Sequence, residues 1–565
     1  MKAAFFGVVA EDLLFPFPSL AESEQDTLRA VLDRVRRALA DTDSTQIDRE
    51  RRIDEPTIER SRAAGLFGLV IPARYGGLGL TNFGCARVAQ ELGARDPSVA
   101  LFLLTHNAIG ARSLLSFGND EQKQRYLPRL ARGESVAAFA LTEQASGTDA
   151  GTIRTHAELD PATGNYLLGG EKPWVTNGAE AELFTVFART SRPDEGHKPR
   201  LTAFLVERGA GVSTGERLET LGVRGVSVTP LNLDGVTLGK EAVLGDAGRG
   251  YRVAVAVLND ARIALAASNF GQARALLDRT VRHVAKRRSF GRAIGEFPII
   301  KDKIAKMMSD CYAVESMIYS TAALADQGVE DYSLESAICR VASVESLWRV
   351  VNESLHVVAG RGYVAGDGFE RSLRDARVGF VLDGTNETLR CFIALAGLRG
   401  PGSRLEEVES AMLEPLKGFG LLRRFAPRRV REALRRERLT RASPLLGREA
   451  VMFEECVDAL QEASLRVLRE HGREIAEIQY AQKRLANVAI DLYALAACLA
   501  RTTLALDNRG ETGARRELDL TTMFASAAHA RMKSHLKRLF TNDDELRKLI
   551  AARAYTDGGY PFEVV

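Results

Sequence analysis

The stretch Phe380-Val-Leu-Asp-Gly-Thr-Asn-Glu-Thr-Leu-Arg390 sets a lone carboxylate, Asp383, beside Gly384 at the start of a new helical segment. Thr385 or Asn386 can cap that segment, because a short side-chain oxygen accepts from the unpaired N–H groups of the next turn. Gly384 carries no side chain, so a ligand can come close to the backbone there. An acid held on such a turn suits a general base. Taken alone, the stretch reads more readily as an Asp-Gly turn between two helices. The eight histidines form no HExxH pattern and no Cys/His cluster at metal-ligand spacing, so no metal site is expected.

The turn has to be placed by the elements around it. Residues 23–133 read as several helices, with Leu28, Val31, Leu32, Val35 and Leu39 on one face. Residues 138–246 change to short β-rich runs, such as 182–189 and 201–206, separated by Gly, Pro, Asn and Asp turns. Helical spacing returns near Gly250, where Ile263, Ala266, Phe270, Leu277, Val281 and Val284 form a stripe that breaks at Ser289-Phe-Gly291. Segments 298–326 and 333–359 make a bundle with 380–398, and Gly397, Gly400 and Pro401 close it. Helical patterns resume over 449–471, 474–507 and 518–540. The expected class is multidomain α+β. Its expected domains are helical 1–137, β-rich 138–246, bundle 247–400 and an additional helical domain 401–565 with a basic linker at 417–441.

With 565 residues, 45% apolar and 27% charged, the chain has the composition of a globular protein with several cores. A net charge of +3 over that length gives no reason to expect nucleic acid. The cysteines at 85, 311, 339, 391, 456 and 498 lie far apart and read as reduced core thiols. No apolar run is expected to reach the roughly 18 residues needed to cross a bilayer. The first twenty residues lack both a basic signal-peptide start and the arginines of a transit peptide, so a bacterial-type cytoplasm is expected. Residues 423–438 are dense in arginine, and read either as a solvated linker or as a peripheral contact with the inner face of an anionic membrane. Gly211-Val-Ser-Thr-Gly215 and Gly360-Arg-Gly-Tyr-Val-Ala365 imitate a nucleophile elbow and a dinucleotide fingerprint, but neither has the strand–turn–helix context that chemistry needs.

Leu141-Thr-Glu-Gln-Ala-Ser-Gly-Thr-Asp149, Lys172-Pro-Trp-Val-Thr-Asn-Gly178, Arg287-Arg-Ser-Phe-Gly291 and the Asp383 turn together resemble the acyl-CoA dehydrogenase family in identity, order and spacing. The likeness is to its very-long-chain branch, which carries an additional C-terminal helical region. It implies an N-terminal helical domain, a middle β domain and a four-helix bundle, with FAD as cofactor and long-chain acyl-CoA as substrate. By the same resemblance Phe139, Leu141, Thr142 and Thr148 meet the flavin, Trp174 covers one ring face and Thr176 lies near N5. Arg287, Ser289 and Phe290 are implied to reach the FAD of a neighbouring subunit in a homodimer, and His356 and Gly360 to touch the cofactor as well. Thr385 and Glu387 are implied on the far side of the turn; on the substrate side the resemblance implies Thr148 near the thioester and phosphates, Asn259 and Arg262 on the helix lining the pantetheine channel, and Gly384. Electron-transferring flavoprotein is the implied electron acceptor.

The family's base is a glutamate in a Tyr-Glu-Gly-Thr type of turn, and here it is Asp383. Some members place the base one residue before the helix arginine, but that position is Ala261, and Asp260 is turned away by about 100° of helix rotation. Asp383 is therefore the expected proton acceptor, shorter by one methylene or about 1.5 Å. Burial should raise its pKa and the following helix N-terminus should lower it. Two further readings remain open: an FAD-binding homologue with weak activity that acts as an assembly partner, and a flavin oxidase of nitroalkane-like carbon acids, a relative of which uses aspartate as base. His106 and Asn107 read either as pocket residues or as helix core.

Overall fold

A computed structural model of the chain describes residues 1–190, 200–399 and 439–563. The basic segment 423–438, and with it most of the expected linker 417–441, lies outside the described residues. Helix α1 (Glu22–Ala38) buries Leu28, Val31, Leu32 and Val35, the stripe read from the sequence. Helix α2 (Asn82–Arg95) starts at Thr81, whose side chain accepts from the Gly84 N–H. It crosses α3 (Gly250–Lys286) at van der Waals contact. A Cβ on Gly93 would lie 2.2 Å from Ser268 O, and one on Gly271 would lie 2.0 Å from Gln90 O. Only glycine lets these two backbones meet.

The β region forms one sheet of β1 (Val136–Ala140), β2 (His156–Leu159), β3 (Tyr166–Thr176), β4 (Ala181–Arg189), β5 (Leu201–Glu207), β6 (Val212–Thr214), β7 (Val228–Leu238) and β8 (Val243–Leu244). Its order is β6-β7-β3-β2-β4-β5-β8, with β1 laid parallel on β4 from Val136↔Ala181 to Ala140↔Val186. The ladder between β3 and β7 shifts register between Lys172 and Val175. Such an irregularity re-aims side chains, and here Lys172 is buried while Trp174, two residues on, is 48% exposed.

Helices α4 (Pro298–Asp326), α5 (Ser333–Val358) and α6 (Asn386–Leu398) complete the bundle with α3. The C-terminal helices are α7 (Gly447–His471), α8 (Gln479–Gly513), α9 (Arg515–Phe540) and α10 (Asp544–Asp557). Bundle and C-terminal helices share one core, in which Ile393, Leu492, Leu499 and Phe524 are buried together. Thr321 Oγ1 and Tyr493 OH meet at 2.8 Å across that junction, and Arg501 pairs with Glu315 at 2.8 Å.

Three features depart from the sequence reading. The N-terminal residues are structural: Phe5 is fully buried, and its ring lies 2.4 Å from where a Gly397 Cβ would stand. Burying that ring contributes about 1.5–3 kcal/mol, and the Met1 ammonium pairs with Glu335 at 2.6 Å beside it. Helix α10 was absent from the pattern because it buries none of its residues. The expectation that no segment has the apolar length of a membrane span is corrected as well. Pro97–Phe117, Gly250–Lys286 and Gln479–Gly513 all reach it, but 83%, 78% and 72% of their apolar windows are buried inside the protein, so packing accounts for them.

Candidate active site

Asp383 follows the short 3-10 turn Val378–Phe380 and precedes α6. Its backbone is left-handed at φ 58°, with Gly384 next at 88°. For an L-residue that conformation costs roughly 1–2 kcal/mol and needs support from its surroundings. Thr385 is the cap: its Oγ1 accepts from the Thr388 N–H at 3.2 Å. From α5, Arg340 reaches under the turn and donates from Nη2 to Gly379 O and Leu382 O, both at 2.6 Å.

The Asp383 side chain is 3% exposed. Arg262 on α3 donates from Nε to its Oδ2 at 3.3 Å and from Nη1 to Asn259 Oδ1 at 3.2 Å. Ser336 fixes Asn259 in turn by donating to its carbonyl at 2.6 Å. Asp383 Oδ1 is buried without a hydrogen-bond partner. Burial pushes the Asp383 pKa up, against the pull of Arg262 and then of Arg340, and the upward effect prevails. Arg340 is pushed down to about 10 by its own burial, partly offset by Asp383. Asp260 does face elsewhere, taking the Tyr332 hydroxyl and lying 3.3 Å from Arg112.

The sheet supplies a second wall. Lys172, fully buried, donates from Nζ to Leu141 O at 2.9 Å and to Glu143 Oε1 at 2.8 Å. Glu143 also accepts from the N–H groups of Arg154 at 2.6 Å and Thr155 at 2.9 Å. Burial pushes Lys172 down to about 8 in spite of Glu143. The connection leaving β1 at Leu141 and Thr142 is thus held from below, with Phe139 packed on Phe187 at 4.8 Å. Thr148 Oγ1 lies 3.4 Å from Thr388 Oγ1, which brings this connection to the start of α6.

Those residues suit a flavin. A half-exposed indole at Trp174, the hydroxyl of Thr176 at the end of the same strand and a braced backbone at 141–143 offer a planar apolar face with polar groups beside it. Above Gly384 an added Cβ would meet nothing nearer than Leu389 at 3.9 Å, so a ligand has room next to the orphan Asp383 oxygen. Glu387 is exposed on the first turn of α6.

The remaining expected contacts are not brought to Asp383. Arg287 stands 25 residues beyond Arg262 at the other end of α3, or about 37 Å away at 1.5 Å per residue. Ser289 lies in a two-residue ladder there, and Phe290 is 94% exposed with φ 53°. His356, expected either as a cofactor contact or as packed in its helix, is exposed, with Nδ1 4.0 Å from Glu353; Gly360 has nothing within 4 Å of an added Cβ. Arg361 and Arg287 both depress the His283 pKa, after burial, so the 287 and 360 segments share one end of the bundle.

His106 and Asn107 are core. Ala137 N–H donates to His106 Nδ1 at 3.0 Å, which leaves Nε2 to donate to Phe67 O at 3.1 Å, and burial lowers this imidazole to about 4. Asn107 bonds Leu66 O, Leu103 O and Leu69 N. Sequence reasoning missed Arg340 and gave Lys172 no role. The available signals were a single cation in the apolar run Ile338-Cys-Arg-Val-Ala342, and a lysine opening the strand motif that ends at Gly178.

Known proteins match the chain along its length. Family models match as the acyl-CoA dehydrogenase N-terminal domain over 22–134, middle domain over 138–236 and C-terminal domain over 248–398, and as the ACAD9/ACADV C-terminal domain over 444–558. The human mitochondrial very long-chain specific acyl-CoA dehydrogenase is 35% identical over 552 residues, covering 95% of this chain and 83% of the relative. The FAD complex of an acyl-CoA dehydrogenase from Bacillus anthracis is similar at TM-score 0.81 and 25% identity, covering 99% of this chain and 96% of that one. A chain of the electron transferring flavoprotein structure from Acidaminococcus fermentans is similar at TM-score 0.63 and 30% identity, covering 67% and 98%.

Proposed function

The chain belongs to the acyl-CoA dehydrogenase family and is an FAD-dependent enzyme of acyl-CoA thioesters; we propose that Asp383 takes the α-proton, that long-chain thioesters are its substrates, and that it works as a homodimer serving electron-transferring flavoprotein. The observation that carries the reading is Asp383 itself: a buried carboxylate with one oxygen on Arg262 and the other without a partner. Bound FAD supplies the acceptor for the β-hydrogen.

Arg262 favours the ionised acid, and the absence of a second bond leaves Oδ1 ready to accept a proton from carbon. Desolvation keeps that oxygen basic, since burial raises its pKa. Asn259 and Ser336 hold the Arg262 guanidinium in register, so the base is aimed by two helices rather than by a loose turn. Leu141, Thr142, Trp174 and Thr176 would hold the flavin from the sheet side, and Thr148 would sit between flavin and thioester.

Dimerisation is supported by distance. Residues 287–290 stand about 37 Å along α3 from Arg262, with Arg287, Arg288 and Phe290 exposed, which suits groups that complete a neighbour's cofactor site. Long acyl chains are supported by the human relative, named as very long-chain specific, and the acceptor by the Acidaminococcus structure. Steady-state turnover with acyl-CoA thioesters of graded length and electron-transferring flavoprotein tests this reading. Efficient formation of the 2-enoyl thioester from long chains is expected; no product at any length would overturn it.

A further inference from the structure

We propose that Arg340 is the positioning residue that makes the shortened base usable: its guanidinium ties two carbonyls of the turn just ahead of Asp383 and so keeps Asp383 in its left-handed conformation, while its charge, like that of Arg262, acts on the carboxylate. The inference rests on Asp383 being the base.

Arg340 is 1% exposed, and among the described residues no carboxylate lies within ion-pair distance of it. A buried cation left in that state needs a reason, because desolvating it is expensive. Both bonds it makes go to backbone: Gly379 O and Leu382 O, at 2.6 Å each. These two carbonyls bracket the segment whose next residue is Asp383. Its Nε and Nη1 are buried without partners, as is Asp383 Oδ1. Among the described residues, the Asp383 carboxylate is the anion whose field favours the charged Arg340.

The geometry explains why this chain needs such a clamp. A carboxylate retracted by about 1.5 Å cannot find its proton by side-chain reach, and a misplacement of about 1 Å costs on the order of a hundredfold in rate. Reach must come from the backbone, and fixing the two carbonyls ahead of Asp383 restrains the chain that enters its φ of 58°. The charged groups facing Asp383 are Arg262 from α3 and Arg340 from α5; on α6, which follows it, Glu387 is exposed and Arg390 is taken up by Glu345 and Asn487.

The test is anaerobic flavin reduction by a long-chain acyl-CoA across a pH series, in the FAD-loaded wild type and in Arg340→Met, Arg340→Lys and Asp383→Asn. Arg340→Met is expected to slow reduction at neutral pH by about thirtyfold to a hundredfold, with thioester affinity within about threefold of wild type. Its acid limb should move to higher pH, since loss of a cation favours the protonated acid. Arg340→Lys should recover most of the rate, as an ammonium keeps the charge and can still donate to a carbonyl. Equal losses in Met and Lys, or a Met variant with the wild-type rate and acid limb, would overturn the proposal. Should Arg340→Met not fold, the cycle of Arg340→Lys with Asp383→Glu decides: coupling between the two supports the proposal and additivity overturns it. Wild-type reduction by Asp383→Asn would instead overturn the base assignment, whatever Arg340 does.

Discussion

Arg262→Gln isolates the charge that keeps the proposed base ionised. Arg262 Nε stands 3.3 Å from Asp383 Oδ2, with the two side chains 6% and 3% exposed, so solvent screens the pair little. Unit charges about 4 Å apart attract by about 4 kcal/mol at an effective dielectric near 20, and breaking a buried pair costs about 3–5 kcal/mol. Arg340 remains as a second cation, so the lower figure applies. About 3 kcal/mol is on the order of a hundredfold in the ionised fraction at a fixed pH. Glutamine can still bond Asn259, which limits the change to charge. The sign follows: removing the cation favours the protonated acid, proton abstraction requires the carboxylate, and the rate is therefore lost at neutral pH and regained as pH rises. Stopped-flow measurement of flavin bleaching under anaerobic conditions, from acid to alkaline pH, reads this directly. An Arg262→Gln enzyme whose acid limb stays in place, or moves to lower pH, would refute the reasoning.

Lys172→Met should leave Glu143 buried without its cation, held only by the Arg154 and Thr155 N–H groups, at a cost of up to about 3–5 kcal/mol, loosening the Leu141–Thr142 backbone; FAD retained after gel filtration and the melting temperature should both fall. Asp375 is buried, accepts from the Val223 N–H at 2.6 Å and is pushed by burial up to about 7. A raised folded-state pKa means that its contribution is full below the ordinary carboxylate range and is lost as pH rises through about 7. Asp375→Asn keeps the acceptor, so its melting temperature should gain on wild type between pH 5 and pH 8 (roughly the window set by that pKa); a constant difference would contradict this. Phe290→Asp alters an exposed side chain, so monomer stability should change by less than about 0.5 kcal/mol while FAD occupancy and dimer content by sedimentation both drop.

What could be read in advance divides by the distance between partners. The bundle helices were legible because their stripes and stops are local: Thr385 caps α6, and the residues around Ser289-Phe-Gly291 end α3. Asp383 was legible as a candidate for the same reason, being an acid and a glycine beside a cap. Whether burial or the helix N-terminus governs its pKa was not, since burial prevails and its opponents are Arg262 and Arg340 on two other helices. The role of Lys172 depends on a register shift in β3 and on Glu143 in another strand connection. Phe5 packs against Gly397, far away in the chain, and α10 carried no buried stripe for periodicity to reveal.

The central claim is that Asp383 removes the α-proton. The direct measurement is the rate of anaerobic flavin reduction by a long-chain acyl-CoA in Asp383→Asn against wild type, with both proteins fully loaded with FAD. A loss of about a hundredfold to ten-thousandfold is predicted, the usual contribution of a positioned base. An asparagine variant that bleaches its flavin at the wild-type rate would contradict the account.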